Sequence, residues 1–121
     1  MQSKTIRALL ADDHAILRKG IRMLIDAQPD LEVVGEAKTG REAIEEARKL
    51  KPDVVVMDLS KPELKGIEGT RQICDELTQT KVIGLSTHKD SVYVRELLRA
   101  GARGYLLKDS EDDDLLRAIR A

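Results

Sequence analysis

The chain has 121 residues, 41% hydrophobic and 36% charged, a composition that indicates one soluble globular domain rather than disorder or two ordinary domains. A formal net charge of −1 argues against a generic affinity for nucleic acid or acidic membranes, and 2% aromatic residues argue against stacking on bases or sugars. The single cysteine, Cys74, excludes an internal disulfide and is typical of a reducing cytoplasm, and no apolar run approaches the ~18 residues of a membrane span.

Five short apolar runs alternate along the chain with five helix-like segments. Strands that alternate with helices predict a parallel sheet covered on both faces, because each parallel connection needs a crossover. The VVVM part of the third run is apolar without alternation, which is typical of a central strand buried on both sides. The five runs are residues 6–11, 31–37, 53–57, 81–85 and 104–107.

The second run, LEVVGEA, has the pattern of an edge strand. Its alternation predicts Glu32 and Glu36 on one face and Leu31, Val33 and Ala37 on the other.

Apolar residues recur at helical spacing in the segments between the runs. The first stripe comprises Ile16, Leu17, Gly20, Ile21, Leu24 and Ile25. The next three comprise Ala43, Ile44, Ala47 and Leu50, then Ile67, Cys74 and Leu77, then Tyr93, Leu97, Leu98 and Gly101. The last helix opens with Ser110 and Asp113 at capping-box spacing and would dock through Leu115, Leu116 and Ile119. The chain is therefore predicted to be a single doubly wound α/β domain.

Polar residues follow four of the predicted strands. Parallel strands bring their carboxyl ends to one edge of the sheet, where ligands of such folds bind. Three carboxylates at one edge favour a hard divalent cation such as Mg²⁺, and a lysine and a hydroxyl beside them suit a phosphoryl group. A carboxylate can itself attack phosphorus to form an acyl phosphate. The residues concerned are Asp12, Asp13, Asp58, Ser86, Thr87 and Lys108.

Each of these residues also has an ordinary structural interpretation. Asp and Ser are common after strands because they suit turns and helix caps, so Asp13 could cap the first helix. Lys108 could be a surface lysine. Chance does not readily place such residues at the ends of four strands, so their joint occurrence favours the functional interpretation.

The same residues carry a resemblance to a known family. The chain resembles a receiver domain of two-component response regulators from about residue 6 to residue 121. The resemblance implies a flavodoxin-like fold with strand order 2-1-3-4-5. Within this family the chain is most similar to the NarL/FixJ (LuxR-type) branch. The segments that carry this similarity are ADDHAILRKGIRMLI, VVGEAKTGREAI and AGARGYLLKDS. The motifs are ADDH at 11–14, MDLSKP at 57–62 with Gly66, LST at 85–87 and GYLLK at 104–108.

The resemblance implies a role for each site residue. Asp58 would accept a phosphoryl group from a phosphohistidine on a sensor histidine kinase, and Lys108 would pair with the phosphoryl oxygens. Ser86 would swing toward the phosphate and Tyr105 would follow it as the switch aromatic. The ligands of Mg²⁺ would be Asp12, Asp13, Asp58 and the backbone carbonyl of Ser60.

The chain departs from the family pattern at three positions. Lys61 stands where an apolar residue is usual, and its ammonium could compete with Mg²⁺ or point to solvent. Thr87 follows Ser86 where a smaller residue or Met is usual, and Asp109 replaces a frequent proline. His88 occupies a position that tends to tune dephosphorylation, as does Ser60, and it lies too far from His14 to suggest a pair of metal ligands.

The leading hypothesis is a phosphorylation-dependent switch in the cytoplasm, without enzyme activity beyond its own phosphorylation and dephosphorylation. Residues 1–121 would be the receiver domain, without the C-terminal helix-turn-helix output domain that the branch implies, so DNA would be bound only through that domain. A degenerate receiver that acts as a phosphorylation-independent interaction module is one alternative. A Mg²⁺-dependent phosphatase is another, although Ser60 stands where its general acid would be expected. A homodimer is left open, and no membrane contact is expected.

Overall fold

A computed structural model gives the structure of the chain, and it describes residues 5–12, 14–58, 64–86, 91–107 and 112–121. Among these, the side chains of 64–66, 86, 91–93 and 112 are not described. Within this part of the chain, five parallel strands form one sheet in the order β2-β1-β3-β4-β5. The predicted strand order is confirmed.

Strands and helices alternate without exception along the described chain. The strands are β1 (Ile6–Ala11), β2 (Leu31–Ala37), β3 (Val54–Asp58), β4 (Lys81–Ser86) and β5 (Gly104–Leu107). The helices are α1 (Ala15–Asp26), α2 (Gly40–Leu50), α3 (Leu64–Glu76), α4 (Ser91–Arg99) and α5 (Asp112–Arg120). Strands β3 and β4 each extend one residue beyond the predicted apolar run, so Asp58 and Ser86 are the last residues of their strands.

The helices cover the sheet as two layers over two separate apolar clusters. One cluster joins the sheet to α1 and α5 through residues such as Ile25 and Ile119. The other joins it to α2, α3 and α4 through Ala47, Ile73 and Leu97. Strand β3 contributes alternate residues to both clusters, as a central strand must.

A β-bulge in β2 overturns the predicted facing of this strand. Ala8 of β1 pairs with Val33, whereas Leu9 pairs with Gly35, so Val34 is an extra residue on the edge strand. One extra residue exchanges the two faces beyond it, because side chains alternate with period two. Leu31 and Val33 therefore pack on the α1 side, whereas Ala37 packs in the opposite cluster.

Four described residues of the predicted helical stripes lie on the surface, and Gly101 is one of them. Ile16 is 91% exposed and Leu98 is 50% exposed, and Gly20 is also exposed. The apolar stripe of α1 is therefore narrower than predicted, and its buried residues are Ile21 and Ile25.

Among the described residues, the longest helix is α3 with 13 residues, and none is long and apolar enough to cross a membrane.

Candidate functional site

Two predicted acidic residues meet at the carboxyl edge of the sheet. The register pairs Ala11 of β1 with Met57 of β3, which places Asp12 and Asp58 next to each other at the ends of neighbouring strands. Strand β2 lies on the other side of β1, so the chain reverses its winding direction between β1 and β3, where ligands bind in such sheets. The predicted proximity of these two residues is confirmed.

Both carboxylates are shielded from solvent. The side chain of Asp12 is 4% exposed and that of Asp58 is 5% exposed. Burial of two neighbouring anions is unfavourable without positive charge, because desolvation and mutual repulsion both oppose ionisation. Oxygen donors in this arrangement fit a hard divalent cation such as Mg²⁺.

His14 lies directly above this acidic pair. Its Nδ1 atom is 3.3 Å from Oδ1 of Asp12 and 3.3 Å from Oδ2 of Asp58. Its backbone N–H also donates to Oδ1 of Asp12 at 2.8 Å. One donor atom from each of the three residues lies within 4.8 Å of the other two.

The backbone of Asp12 is held from both sides. Its N–H donates to the carbonyl of Ala37 at 2.9 Å, and its own carbonyl accepts from Nη1 of Arg18 at 2.5 Å. Nε of Arg18 also donates to Oε1 of Glu36 at 2.7 Å, and Arg22 donates to the other oxygen of that carboxylate. Arg18 on α1 therefore connects the edge strand to the residue that follows β1, and Arg22 adds a second contact to the edge strand.

The electrostatics of Glu36 follow from these contacts. Burial raises the pKa of Glu36, but hydrogen bonds from Arg18 and Arg22 and their positive charges outweigh it, so the pKa lies below its ordinary value. The carboxylate is therefore ionised at neutral pH and holds both arginines. Glu36 can reach α1 because the bulge at Val34 turns it toward that helix.

The two predicted switch residues, Ser86 and Tyr105, lie on β4 and β5. Ser86 ends β4 and pairs with Leu107 of β5, but its side chain lies outside the described residues. Tyr105 pairs with Gly84 and packs, partly buried, against the apolar cluster under α2, α3 and α4. The backbone thus places both residues near the edge that carries Asp58.

Six other predicted site residues lie outside the described part of the chain, so their roles stay predictions. These are Asp13, Ser60, Lys61, Thr87, His88 and Lys108.

Three residues beside the acidic pair were missed in the sequence. The sequence offers no motif that pairs His14 with a residue of the site, whereas its Nδ1 atom lies 3.3 Å from Oδ2 of Asp58, 44 residues away. Arg18 and Glu36 carried no motif signal. The spacing of Arg18 and Arg22 by one helical turn was the only available indication that both could contact one carboxylate.

A comparison with protein families identifies the chain. Residues 8–120 match the model for the response regulator receiver domain. The chain belongs to this family.

The curated relatives of this receiver domain are named as transcriptional regulatory proteins. It is 47% identical to the transcriptional regulatory protein LiaR of Bacillus subtilis over 116 residues, which cover 96% of this chain and 55% of LiaR. The chain spans about half the length of the curated relatives it matches.

Solved structures agree with this assignment. A LuxR-family response regulator from an Aurantimonas species is 39% identical, with a TM-score of 0.89 over 97% of this chain and 84% of that one. The receiver domain of the response regulator NarL from Mycobacterium tuberculosis is 31% identical, with a TM-score of 0.90 over 98% of this chain and 95% of that one. The predicted NarL/LuxR-type branch is confirmed.

Proposed function

We propose that this receiver domain is a phosphorylation-dependent switch and that Asp58 is its phosphoacceptor. The observation that carries the proposal is the burial of Asp58 beside Asp12 at the carboxyl edge of the sheet. A carboxylate oxygen of Asp58 would form the new O–P bond while the N–P bond of a kinase phosphohistidine breaks. The imidazole of the kinase leaves with the electrons of that bond.

The chain offers the groups that this transfer needs. Asp12, Asp13 and Asp58, with the backbone carbonyl of Ser60, would hold Mg²⁺, which neutralises charge on the phosphoryl oxygens. Lys108 follows β5 directly and would supply a second positive charge. Arg18 donates to the carbonyl of Asp12, the residue that precedes Asp13 in the sequence.

Phosphorylation would be reported through β4 and β5. The modification adds about −1.5 to −2 charges and strong acceptor oxygens at Asp58. Ser86 would move to donate to them, and Tyr105 would shift its ring from the partly buried position that it occupies against the second apolar cluster. Lys61, Thr87 and His88 would set the rate of the transfer and of its reversal.

The partners follow from the same proposal. A sensor histidine kinase would supply the phosphoryl group in the cytoplasm. An output domain outside these 121 residues would bind DNA, since the relatives are transcriptional regulators about twice as long. A homodimer of receivers would couple the switch to that output. A phosphatase or a phosphorylation-independent module is not favoured by these relatives.

The test is intact mass after incubation with acetyl phosphate or phosphoramidate, with and without Mg²⁺. We expect one phosphoryl adduct that requires Mg²⁺ and is lost in Asp58→Asn. Asp75→Asn, the same change on the exposed face of α3, should keep the adduct. A folded wild-type chain without an adduct, or an adduct that persists in Asp58→Asn, would refute the assignment.

A further inference from the structure

Arg18 joins three parts of the chain beside the acidic pair. It lies in the first turn of α1, its Nη1 donates to the carbonyl of Asp12 at 2.5 Å, and its Nε donates to Oε1 of Glu36 at 2.7 Å. Its side chain is only 14% exposed, so little water reaches these bonds to compete for them. The guanidinium thus bridges α1, the edge strand β2 and the residue that follows β1.

The two bonds of Arg18 together fix the backbone of Asp12 relative to β2. A guanidinium is planar and its N–H donors point in fixed directions, so two simultaneous bonds leave it little freedom. The N–H of Asp12 donates to the carbonyl of Ala37, the residue that follows Glu36 on the same strand. Both backbone groups of Asp12 are therefore held by β2, one directly and one through Arg18.

The backbone position of Asp12 decides where its carboxylate lies beside Asp58. The side chain of aspartate is short, so its carboxylate follows any movement of the backbone. The carboxylates of Asp12 and Asp58 are buried and repel each other, so an unsupported backbone would let them move apart. Because a displacement of about 1 Å in a reacting site can cost about 100-fold in rate, this support affects the chemistry as well as the stability.

Arg22 makes a different set of contacts, which allows the role of Arg18 to be isolated. In the described part of the chain the guanidinium of Arg22 contacts Glu36 and Asp26, and 45% of its side chain is exposed. Loss of either arginine removes a positive charge and a bond to Glu36. Of the two, Arg18 is the one whose loss also releases the carbonyl of Asp12.

We propose that Arg18 is a positioning residue of the proposed phosphoacceptor site and that Glu36 orients it for this role. The inference rests on the proposed function and adds the edge strand to the elements that build the site. Without Arg18, Asp12 should hold Mg²⁺ less tightly, and transfer of the phosphoryl group to Asp58 should need a higher concentration of the ion.

The first experiment measures phosphorylation of the whole chain by intact mass, with acetyl phosphate over a series of Mg²⁺ concentrations. The variants are Arg18→Met, Arg18→Lys, which keeps the charge but not the planar pair of donors, and the matched control Arg22→Met. We expect both Arg18 variants to raise the Mg²⁺ concentration for half-maximal phosphorylation about tenfold or more, whereas Arg22→Met stays near the wild-type value. Wild-type values in both Arg18 variants, or equal shifts in Arg18→Met and Arg22→Met, would overturn the proposal.

A second measurement follows Asp12 without any phosphodonor. The carbonyl carbon of Asp12 senses a hydrogen bond to its oxygen, so its NMR signal should shift in Arg18→Met and stay in place in Arg22→Met. Mg²⁺ titrations followed by the side-chain carboxyl signal of Asp12 should show a loss of affinity of about tenfold or more in both Arg18 variants. An unchanged carbonyl signal in Arg18→Met contradicts the geometry. Far-UV circular dichroism would verify folding, and Arg18→Lys carries the Mg²⁺ comparison if Arg18→Met does not fold.

A double substitution tests the role of Glu36. If Glu36 acts by orienting Arg18, Glu36→Gln should raise the Mg²⁺ requirement when Arg18 is present and change nothing further in Arg18→Met. Independent, additive effects of the two substitutions would reject the orienting role of Glu36.

Failure of this inference differs from failure of the proposed function. An adduct on Asp58 with the wild-type Mg²⁺ dependence in both Arg18 variants rejects the positioning role alone. A wild-type chain that gives no adduct, but whose Mg²⁺ affinity in the NMR titration falls in the Arg18 variants, rejects the phosphoacceptor and retains the hold of Arg18 on Asp12.

Discussion

Gly101→Ala should destabilise the domain severely. Gly101 follows α4 with φ of +113°, a conformation that residues with a side chain rarely adopt. A Cβ at this position would lie 2.8 Å from Cβ of Cys74 and 3.0 Å from its Sγ. The backbone conformation costs about 1–2 kcal/mol and the overpacking about 1–3 kcal/mol, so the sum is about 2–5 kcal/mol. The total free energy of unfolding of such domains is only about 5–15 kcal/mol.

Gly20→Ala is the matched control with the opposite expected sign. Gly20 lies within α1, and a Cβ there would meet nothing within 4 Å. The same added methyl group should therefore stabilise the domain by about 0.5–1 kcal/mol.

Urea unfolding followed by far-UV circular dichroism measures both variants, since the chain has no tryptophan. Adding Cys74→Ala to Gly101→Ala should recover only part of the loss, because the alanine retains the Cβ that makes the shorter contact. A Gly101→Ala variant within about 0.5 kcal/mol of the wild type would refute both the backbone and the packing argument.

Three further predictions concern surface contacts. Lys51→Gly should raise the free energy of unfolding by about 1 kcal/mol in urea titrations, because Lys51 ends α2 with φ of 47°, where glycine is favoured. A lower free energy of unfolding in Lys51→Gly would contradict the left-handed backbone conformation of Lys51. Because the pKa of Glu36 is lowered in the folded state, its ionised side chain stabilises the fold at pH values above its ordinary pKa of 4.5. This contribution to the free energy of unfolding is lost as the pH falls through the lower folded-state pKa. Glu36→Gln should therefore be less stable than the wild type at pH 7. Thermal melts should show that the difference in melting temperature between the two proteins is smaller at pH 3 than at pH 7. An equal difference at both pH values would exclude the ion pairs of Glu36 as its cause. Lys81→Met should cost about 1–2 kcal/mol by thermal unfolding, and an unchanged melting temperature would refute the capping role. The Lys81 ammonium donates to the carbonyls of Ala118, Ile119 and Ala121 at the end of α5.

The sequence was sufficient for the order of elements and for the acidic edge. Strand VVVM showed no alternation because it is buried on both faces, and Asp12 and Asp58 followed strands whose parallel arrangement brings them together. These features depend on local patterns that repeat along the chain.

The facing of β2 and the position of His14 were beyond the sequence. The bulge at Val34 depends on how β2 pairs with β1. The alternation of side chains within LEVVGEA does not indicate where the pairing shifts. The contact of His14 with Asp58 depends on the direction of a side chain at the start of α1. Both are properties of tertiary packing rather than of composition or periodicity.

The bulge at Val34 also affects how this chain behaves among its own copies. Strand β2 is an edge of the sheet, and a straight edge offers unpaired backbone groups to any passing strand. A bulge bends and twists such an edge, and the exposed charge of Glu32 further opposes alignment of a second strand. The irregularity that turns Glu36 toward α1 thus also protects the concentrated protein against aggregation through intermolecular β-sheet.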